Sequence, residues 1–334
     1  MVVVTNTLAL SPQQIDTEWR KFKREFERNE YTEGSDEEVV RRQIFESNYR
    51  LIVRHNMEAD NGIHSYRLGV NQFADMTDEE YRNKMGLDLS GLSEHESRSE
   101  SRHTIDTTLL PQSIDWRDRH VVSRVKDQKD CEYCYIFTSI DTIESQLAIN
   151  TSHLIELSVQ NVADCVYPGK FHFLNCFTGG YMHNAYEVII QYGGVESETT
   201  SPYLANAYNC SYRPEYRAAS IQGYVNITSG DELALQEAVA TVGPVAIGID
   251  ASQTGFKLYK SGVYTDTKCK NGFKDLHHAV VVVGYGSESG HDYWLLKNSW
   301  GTTYGDQGYI KIARNNVNQC GVATYALYPT GVTK

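Results

Sequence analysis

The chain has 334 residues, 40% of them apolar and 22% charged, enough to bury one large core or two smaller ones. A formal net charge of -12 argues against nucleic acid or an anionic membrane as partner. No apolar run reaches the roughly 20 residues of a transmembrane span, and residues 1–11, mildly apolar and without a leading basic residue, read as an atypical or trimmed signal segment.

The next stretch reads as a small helical unit. Ile15, Trp19, Phe22 and Phe26 recur at i, i+4, i+7 and i+11, one face of a helix. A second helix is expected from Asp36 to Ala59, where Glu37, Arg41, Phe45, Asn48, Ile52 and Asn56 are spaced by 4, 4, 3, 4 and 4 residues. Glu37 and Arg41 stand in the favourable order for an i, i+4 ion pair. In YRLGVNQFADMTDEEY, the alternation of Gly69, Asn71, Phe73 and Asp75 suggests a short strand and turn before a helix capped at Thr77. Residues 86–109, rich in Ser and Glu and without periodicity, read as an exposed linker open to proteolysis.

The composition then changes. Cys134–Ile149 reads as a largely buried helix, and Met182–Tyr192 as another. Beyond Ile221 the runs GPVAIGID, HHAVVVVGYG, DYWLLKNSW and GYIKIA have strand character. Helices first and strands later predict an α+β body of two lobes with a cleft between them.

Seven cysteines and three N-x-S/T sequons, at Asn150, Asn209 and Asn226, favour an oxidising secretory route. Cys131 and Cys134 form a C-x-x-C pair, which suits a metal half-site, a redox dithiol, a disulfide framework or the setting of a nucleophile. No second C-x-x-C completes a zinc site and no βαβ pattern surrounds the pair, so neither metal nor cofactor is expected. Three bridges would leave one thiol free, and the favoured reading divides the pair into one cross-linked and one reactive cysteine. Cys134 stands where a helix begins, and a helix N-terminus and a nearby imidazolium both favour thiolate. His278 heads a strand-like run and Asn298 follows another; a side-chain amide can hold an imidazole in one orientation and tautomer. Gln128 can offer an amide N–H to a developing oxyanion.

On these residues the sequence resembles the papain-like cysteine proteases, specifically the cathepsin L branch with its inhibitory prosegment. Glu37, Arg41, Phe45, Asn48, Ile52 and Asn56 match the interspersed E-R-F-N-I-N pattern of that prosegment, and Gly69, Asn71, Phe73 and Asp75 its G-x-N-x-F-x-D motif. PQSIDWRD looks like the start of the mature enzyme, HHAVVVVGYG the histidine region and YWLLKNSWGTTYGDQGYIKI the asparagine region. The resemblance implies a papain-like fold, with a helical left lobe and a β-barrel-like right lobe, behind a small helical prodomain. It divides the chain into residues 1–11, a prosegment at 12–109 and a peptidase domain at 110–334. It implies Cys134 as nucleophile, His278 as its base, Asn298 as the orienting amide with Trp300 shielding that bond, and Gln128 with the Cys134 N–H as oxyanion hole. It implies disulfides Cys131–Cys176, Cys165–Cys210 and Cys269–Cys320. Substrate would lie along Gly179 and Gly180, with Tyr181, Met182, Gly248, Leu276 and Tyr325 lining an apolar pocket made shallower by Tyr325. Implied partners are protein or peptide substrates, the chain's own prosegment and cystatin-type inhibitors, for a monomer that is lysosomal or secreted.

By alignment His278 rather than His277 is catalytic; His277 reads as a half-exposed edge residue and the other nine of eleven histidines as surface residues. The surroundings of Cys134 depart from the family pattern. Glu132 and Tyr133 replace Gly and Ser/Ala, Lys129 and Asp130 replace Gly and a small residue, Tyr135 replaces Trp, Val159 replaces Glu, and CFTGG is one residue longer than C-N-G-G. A Glu beside the nucleophile can crowd the cleft, favour imidazolium or repel acidic substrates. The alternative these departures raise is a proteolytically impaired homologue that keeps the fold as a binding protein.

Overall fold

The computed structural model describes residues 10–90, 92, 110–166, 176, 177 and 179–334. Helix α1 (Pro12–Glu25) opens with a capping box, in which Ser11 accepts from the Gln14 N–H and the Gln14 side chain accepts from the Ser11 N–H. Its apolar face buries Ile15, Trp19 and Phe22. Helix α2 (Asp36–Asp60) is capped by Ser35 and buries Phe45, Asn48 and Ile52. The two cross on an aromatic cluster, Phe45 lying 5.0 Å from Phe22 and 5.4 Å from Trp19 between ring centres. Arg41 pairs with Glu80 at 2.7 Å and not with Glu37, because the tertiary partner is nearer to hand than the solvated helix neighbour.

Strand β1 (Tyr66–Leu68) follows, and α3 (Asp78–Arg82) begins at the expected Thr77 capping box. The strand thus precedes Gly69–Asp75, which form turns. There the Asn71 carboxamide accepts from the Phe73 N–H (3.0 Å) and donates to Lys257 O (2.8 Å). The alternating residues of that motif serve side-chain anchoring, not pleat.

Short strand β2 (Ile114–Asp115) leads to α4 (Cys134–Thr151), whose residues are buried from Cys134 to Ala148. Around it pack α5 (Val159–Cys165) and α6 (Met182–Tyr192), then the two-stranded pair β3 (Val195–Glu196) and β4 (Arg217–Ala219). The strand-rich half comprises β5 (Gly223–Asn226), α7 (Glu232–Thr241), β6 (Val245–Ile249), α8 (Thr254–Lys257), β7 (Tyr259–Tyr264), β8 (His278–Glu288), β9 (His291–Lys297), β10 (Tyr309–Ala313) and β11 (Tyr325–Thr330). The large sheet has the open order β1-β7-β10-β9-β8-β6-β11-β5, with β2 beside β8. Strand alternation divides β8: Val280 and Val282 enter one core with α7, while Ala279 meets the helical lobe's core beside α4. Two lobes and their helical prosegment are the architecture expected.

Disulfides close Cys131–Cys176, Cys165–Cys210 and Cys269–Cys320, as the resemblance implied, and leave Cys134 free. No described helix is long and apolar enough to cross a membrane. Three expectations need correction. Residues 86–90 are not exposed linker: Leu87 and Leu89, with Leu92, join the core around α4. His55 and His183 are buried, the first bonded to Tyr66 O and the second to the Tyr325 hydroxyl. Asn226 is buried in β5, out of a glycan's reach, whereas Asn150 and Asn209 are exposed. The inserted Thr178 and the linker from 93 to 109 lie outside the described residues.

Candidate active site

The cleft is built from α4 of the helical lobe and the ends of β8 and β9. Cys134 is the first residue of α4, and the preceding Tyr133 supplies no side-chain cap. The first-turn N–H groups, and the positive end of the helix dipole, are therefore directed at the sulfur's end of the helix. The Cys134 sulfur interacts with the backbone N–H groups of Ala279, Gly86 and Tyr135. Ala279 follows His278 directly, so the chain brings thiol and imidazole to one place across the two lobes.

His278 and Asn298 are fully buried. His278 Nε2 lies 2.8 Å from Asn298 Oδ1, which also accepts from the Ser299 N–H at 2.8 Å. Because that acceptor is an oxygen, Nε2 carries the proton and Nδ1 is left as the bare nitrogen. Nδ1 is buried and has no hydrogen-bond partner. The Trp300 indole stacks on the imidazole, 4.3 Å between ring centres. Gln128 is pinned by Ser299, whose hydroxyl donates to Oε1 (2.7 Å) and whose carbonyl accepts the Gln128 N–H (2.8 Å). Its Nε2 donates to Cys131 O (2.7 Å) and to Lys84 O of the prosegment (3.2 Å).

The prosegment fills the rest. Leu87 and Gly180 form a parallel bridge: Gly180 N–H donates to Gly86 O (2.9 Å) and Asp88 N–H to Gly180 O (3.2 Å). Leu87 N–H donates to His277 O (3.0 Å). A side chain at Gly86 would strike the Glu132 carbonyl at 1.9 Å, so only glycine passes there. Leu87 reaches within 2.8 Å of where a Gly248 Cβ would sit, and Leu276 and Tyr325 lie 3.2 and 3.4 Å from that point. Leu87 thus packs among Gly248, Leu276 and Tyr325. The Tyr325 hydroxyl is bonded 2.8 Å from His183 Nδ1, and Tyr181 stacks on His183. Phe73 and Tyr81 press edge-on against Trp300 at 5.0 and 5.7 Å.

This cover has an electrostatic consequence. Burial pushes the Cys134 thiol up to about 12, against its three N–H contacts. Burial likewise drives His278 down to about 4, although the Asn298 bond favours its charged form. Desolvation disfavours both charges, so the covered cleft favours the neutral thiol and the neutral imidazole. Glu132 is half-buried and raised to about 7, first by burial and then by the charge of Asp88.

Sequence reasoning missed a buried network beneath the site. Lys126 bonds Asp141 (2.8 Å) and Glu144 (2.6 Å), while Lys297 bonds Asp141 (2.8 Å). Asp141 and Glu144 belong to α4 and Lys297 directly precedes Asn298, so the network ties the helix of Cys134 to the strand of Asn298. The i, i+3 spacing of Asp141 and Glu144 in an otherwise buried helix was the available signal.

A papain-like two-lobed fold, a free thiol at a helix start beside an amide-held imidazole and an extended segment, following a helical unit, laid in the cleft define a thiol-dependent peptidase held by its own prosegment. Comparison with known proteins agrees. Residues 110–330 match the family described as "Papain family cysteine protease", and residues 19–81 match "Cathepsin propeptide inhibitor domain (I29)". Cathepsin S of Mus musculus is 43% identical over 94% of this chain and 90% of its own length, and Cathepsin S of Bos taurus 42% over 94% and 92%. The digestive procathepsin L2 proteinase of Tenebrio molitor larval midgut superimposes with a TM-score of 0.86 at 38% identity, covering 95% of this chain and 99% of that one. Recombinant stem bromelain precursor gives 0.82 at 34%, covering 95% and 98%. The chain belongs to the papain family of cysteine proteases, as a cathepsin-like zymogen carrying its own inhibitory propeptide.

Proposed function

We propose that this zymogen matures into an endopeptidase acting through Cys134, His278 and Asn298, with Gln128 and the Cys134 N–H binding the oxyanion. Cys134 attacks the scissile carbonyl as thiolate, His278 Nδ1 holds the proton and passes it to the leaving amine, and water then hydrolyses the thioester. Asn298 keeps the imidazole in the tautomer that leaves Nδ1 available. The observation that carries this reading is the bare, buried Nδ1 of His278, its other nitrogen held by Asn298 at 2.8 Å, with the one free thiol against the adjacent Ala279.

The prosegment blocks the site in three ways. Leu87 fills the pocket for an apolar substrate residue, Lys84 O takes an N–H of Gln128, and the cover dries out the ion pair. Its pairing with Gly180 is parallel, so its two bonds come from different residues, 86 and 88. A chain of opposite direction would exchange both bonds with one residue, presenting its carbonyl to the thiol in the other sense. Acid loosens the prosegment by protonating carboxylates that stabilise it: Asp78, bonded to Lys257 and Thr254 of the mature domain, and Glu80, bonded to Arg41 and Thr77 within the prosegment. Burial raises both, but Lys257 and Thr254 at Asp78, and Thr77 and Arg41 at Glu80, outweigh it and hold them below the ordinary range. Such carboxylates stabilise the docked state above their unfolded values and cease to as pH falls through the folded ones. Three closed disulfides and two exposed sequons support a secretory destination, lysosomal or secreted. The alternative of an inactive binding protein has no observation in its favour, since the departures at 132 and 133 remove none of the reacting groups.

The test is incubation at a series of pH values from about 3.5 to 4.5 with a thiol reductant, then assay on a peptide with Leu at the second position before the bond. Wild type should shorten to its mature form and cleave; Cys134→Ala should do neither. Mature wild-type protein that cleaves nothing and resists a thiol-directed epoxide would overturn the proposal.

A further inference from the structure

The residue least accounted for is Glu132. Its N–H is fixed to Cys176 O at 2.7 Å and its neighbour Cys131 is bridged to Cys176, so its backbone cannot swing away. It lies in the cleft wall against Gly86 and is half-buried. No cation among the described residues pairs with it. The prosegment's Lys84 is engaged by Asp130 at 2.5 Å, and Lys274 by the carbonyls of Leu89 and Leu92 at 2.7 Å each. What the prosegment does place within its field is another acid, Asp88.

An extended chain explains the geometry. Leu87 enters the apolar pocket, and its neighbours Gly86 and Asp88 face the opposite way, as successive residues of a strand must. Gly86 meets the Glu132 backbone and Asp88 its carboxylate field. A substrate with an apolar residue in the Leu87 pocket therefore presents both flanking side chains to the Glu132 side. We propose that Glu132 sets the charge preference of this cleft, selecting peptides with Lys or Arg beside the apolar pocket residue and rejecting Asp or Glu there. This rests on the peptidase reading above. The prosegment itself carries the disfavoured charge at Asp88.

Two measurements test it. In the first, the mature enzyme at pH 7 is given peptides with Leu in the pocket position and each flank varied in turn among Lys, Gln and Glu. Wild type should favour Lys over Glu by about tenfold in kcat/KM at one flank or both, and Glu132→Gln should reduce that ratio to about two. An unchanged ratio in Glu132→Gln overturns the proposal. If no peptide is cleaved at all, the peptidase reading fails and the second measurement decides this one. In it, full-length Cys134→Ala protein carrying Asp88→Lys is melted at pH 7.5 against Asp88→Asn, which keeps an acceptor for the Ser90 N–H. Asp88→Lys should melt about 2 °C higher, and the gain should vanish when Glu132→Gln is added. Equal melting with Glu132 intact overturns the proposal.

Discussion

Asp78 offers the sharpest handle on how the prosegment is held. It opens α3, where a carboxylate also suits the helix dipole. Its Oδ1 accepts from Lys257 Nζ at 2.6 Å and its Oδ2 from Thr254 Oγ1 at 2.9 Å, both across the boundary between prosegment and mature domain. The Lys257 side chain is 1% exposed and that of Asp78 44%. Asp78→Asn keeps the shape but removes the charge, leaving the ammonium with two neutral acceptors, Met76 O (3.1 Å) and Asn48 Oδ1 (3.4 Å). Breaking a fully buried pair costs about 3–5 kcal/mol and an exposed one about 0–1. With one partner buried and the other partly solvated, about 1.5 kcal/mol is expected, a roughly tenfold loss of prosegment docking. In a Cys134→Ala background this should lower Tm at pH 7 by about 4 °C. The sign of the pH dependence is fixed. The folded pKa is depressed, so wild type has this contribution above the unfolded value near 4 and loses it below. The gap between the two melting curves should therefore close as pH falls towards 3. A gap that persists unchanged at pH 3, or is absent at pH 7, would refute the reasoning.

Other outcomes follow from the same contacts. Leu87→Ala should weaken docking by about 2 kcal/mol or more, so that processing begins at higher pH on a gel time course. Gln128→Ala should cut kcat by about 10²–10³ while KM for a small peptide moves little, in a steady-state assay. Alkylation of Cys134 at pH 5 should be slow in the zymogen, whose thiol is pushed far up by burial, and fast once the prosegment is removed, as read by mass spectrometry. Asp141→Ala leaves buried Lys297 without a carboxylate and Lys126 with Glu144 alone, and should lower Tm by about 10 °C, since removing one partner of a buried pair costs about 3–5 kcal/mol.

Much of the site was legible because its parts are local signals in order: an odd cysteine, an imidazole heading a strand, an amide closing another. The helical faces of α1 and α2 were equally plain, since Ile15, Trp19 and Phe22 on one and Phe45, Asn48 and Ile52 on the other recur at helical spacing. What the sequence hid depends on distant partners. Gly86–Asp88 sits in a polar, aperiodic stretch, and only the groove beside Gly180 gives it an extended form. Asn71 and Asp75 alternate like strand residues, yet they bond Lys257 O and Arg28, contacts no local pattern encodes. His183 looked like any surface histidine until the Tyr325 hydroxyl came to meet it.

Strand β1 carries one last consequence. It lies outermost on the large sheet, pairing Tyr66 with Gly262 and Arg67 with Ser261 of β7. Departure of the propeptide turns β7 from an inner strand into a rim, with a row of donors and acceptors suddenly facing water. Maturation thus trades a covered border for an open one, where only Lys260 and the kink at Gly262 guard against a stray strand adding on.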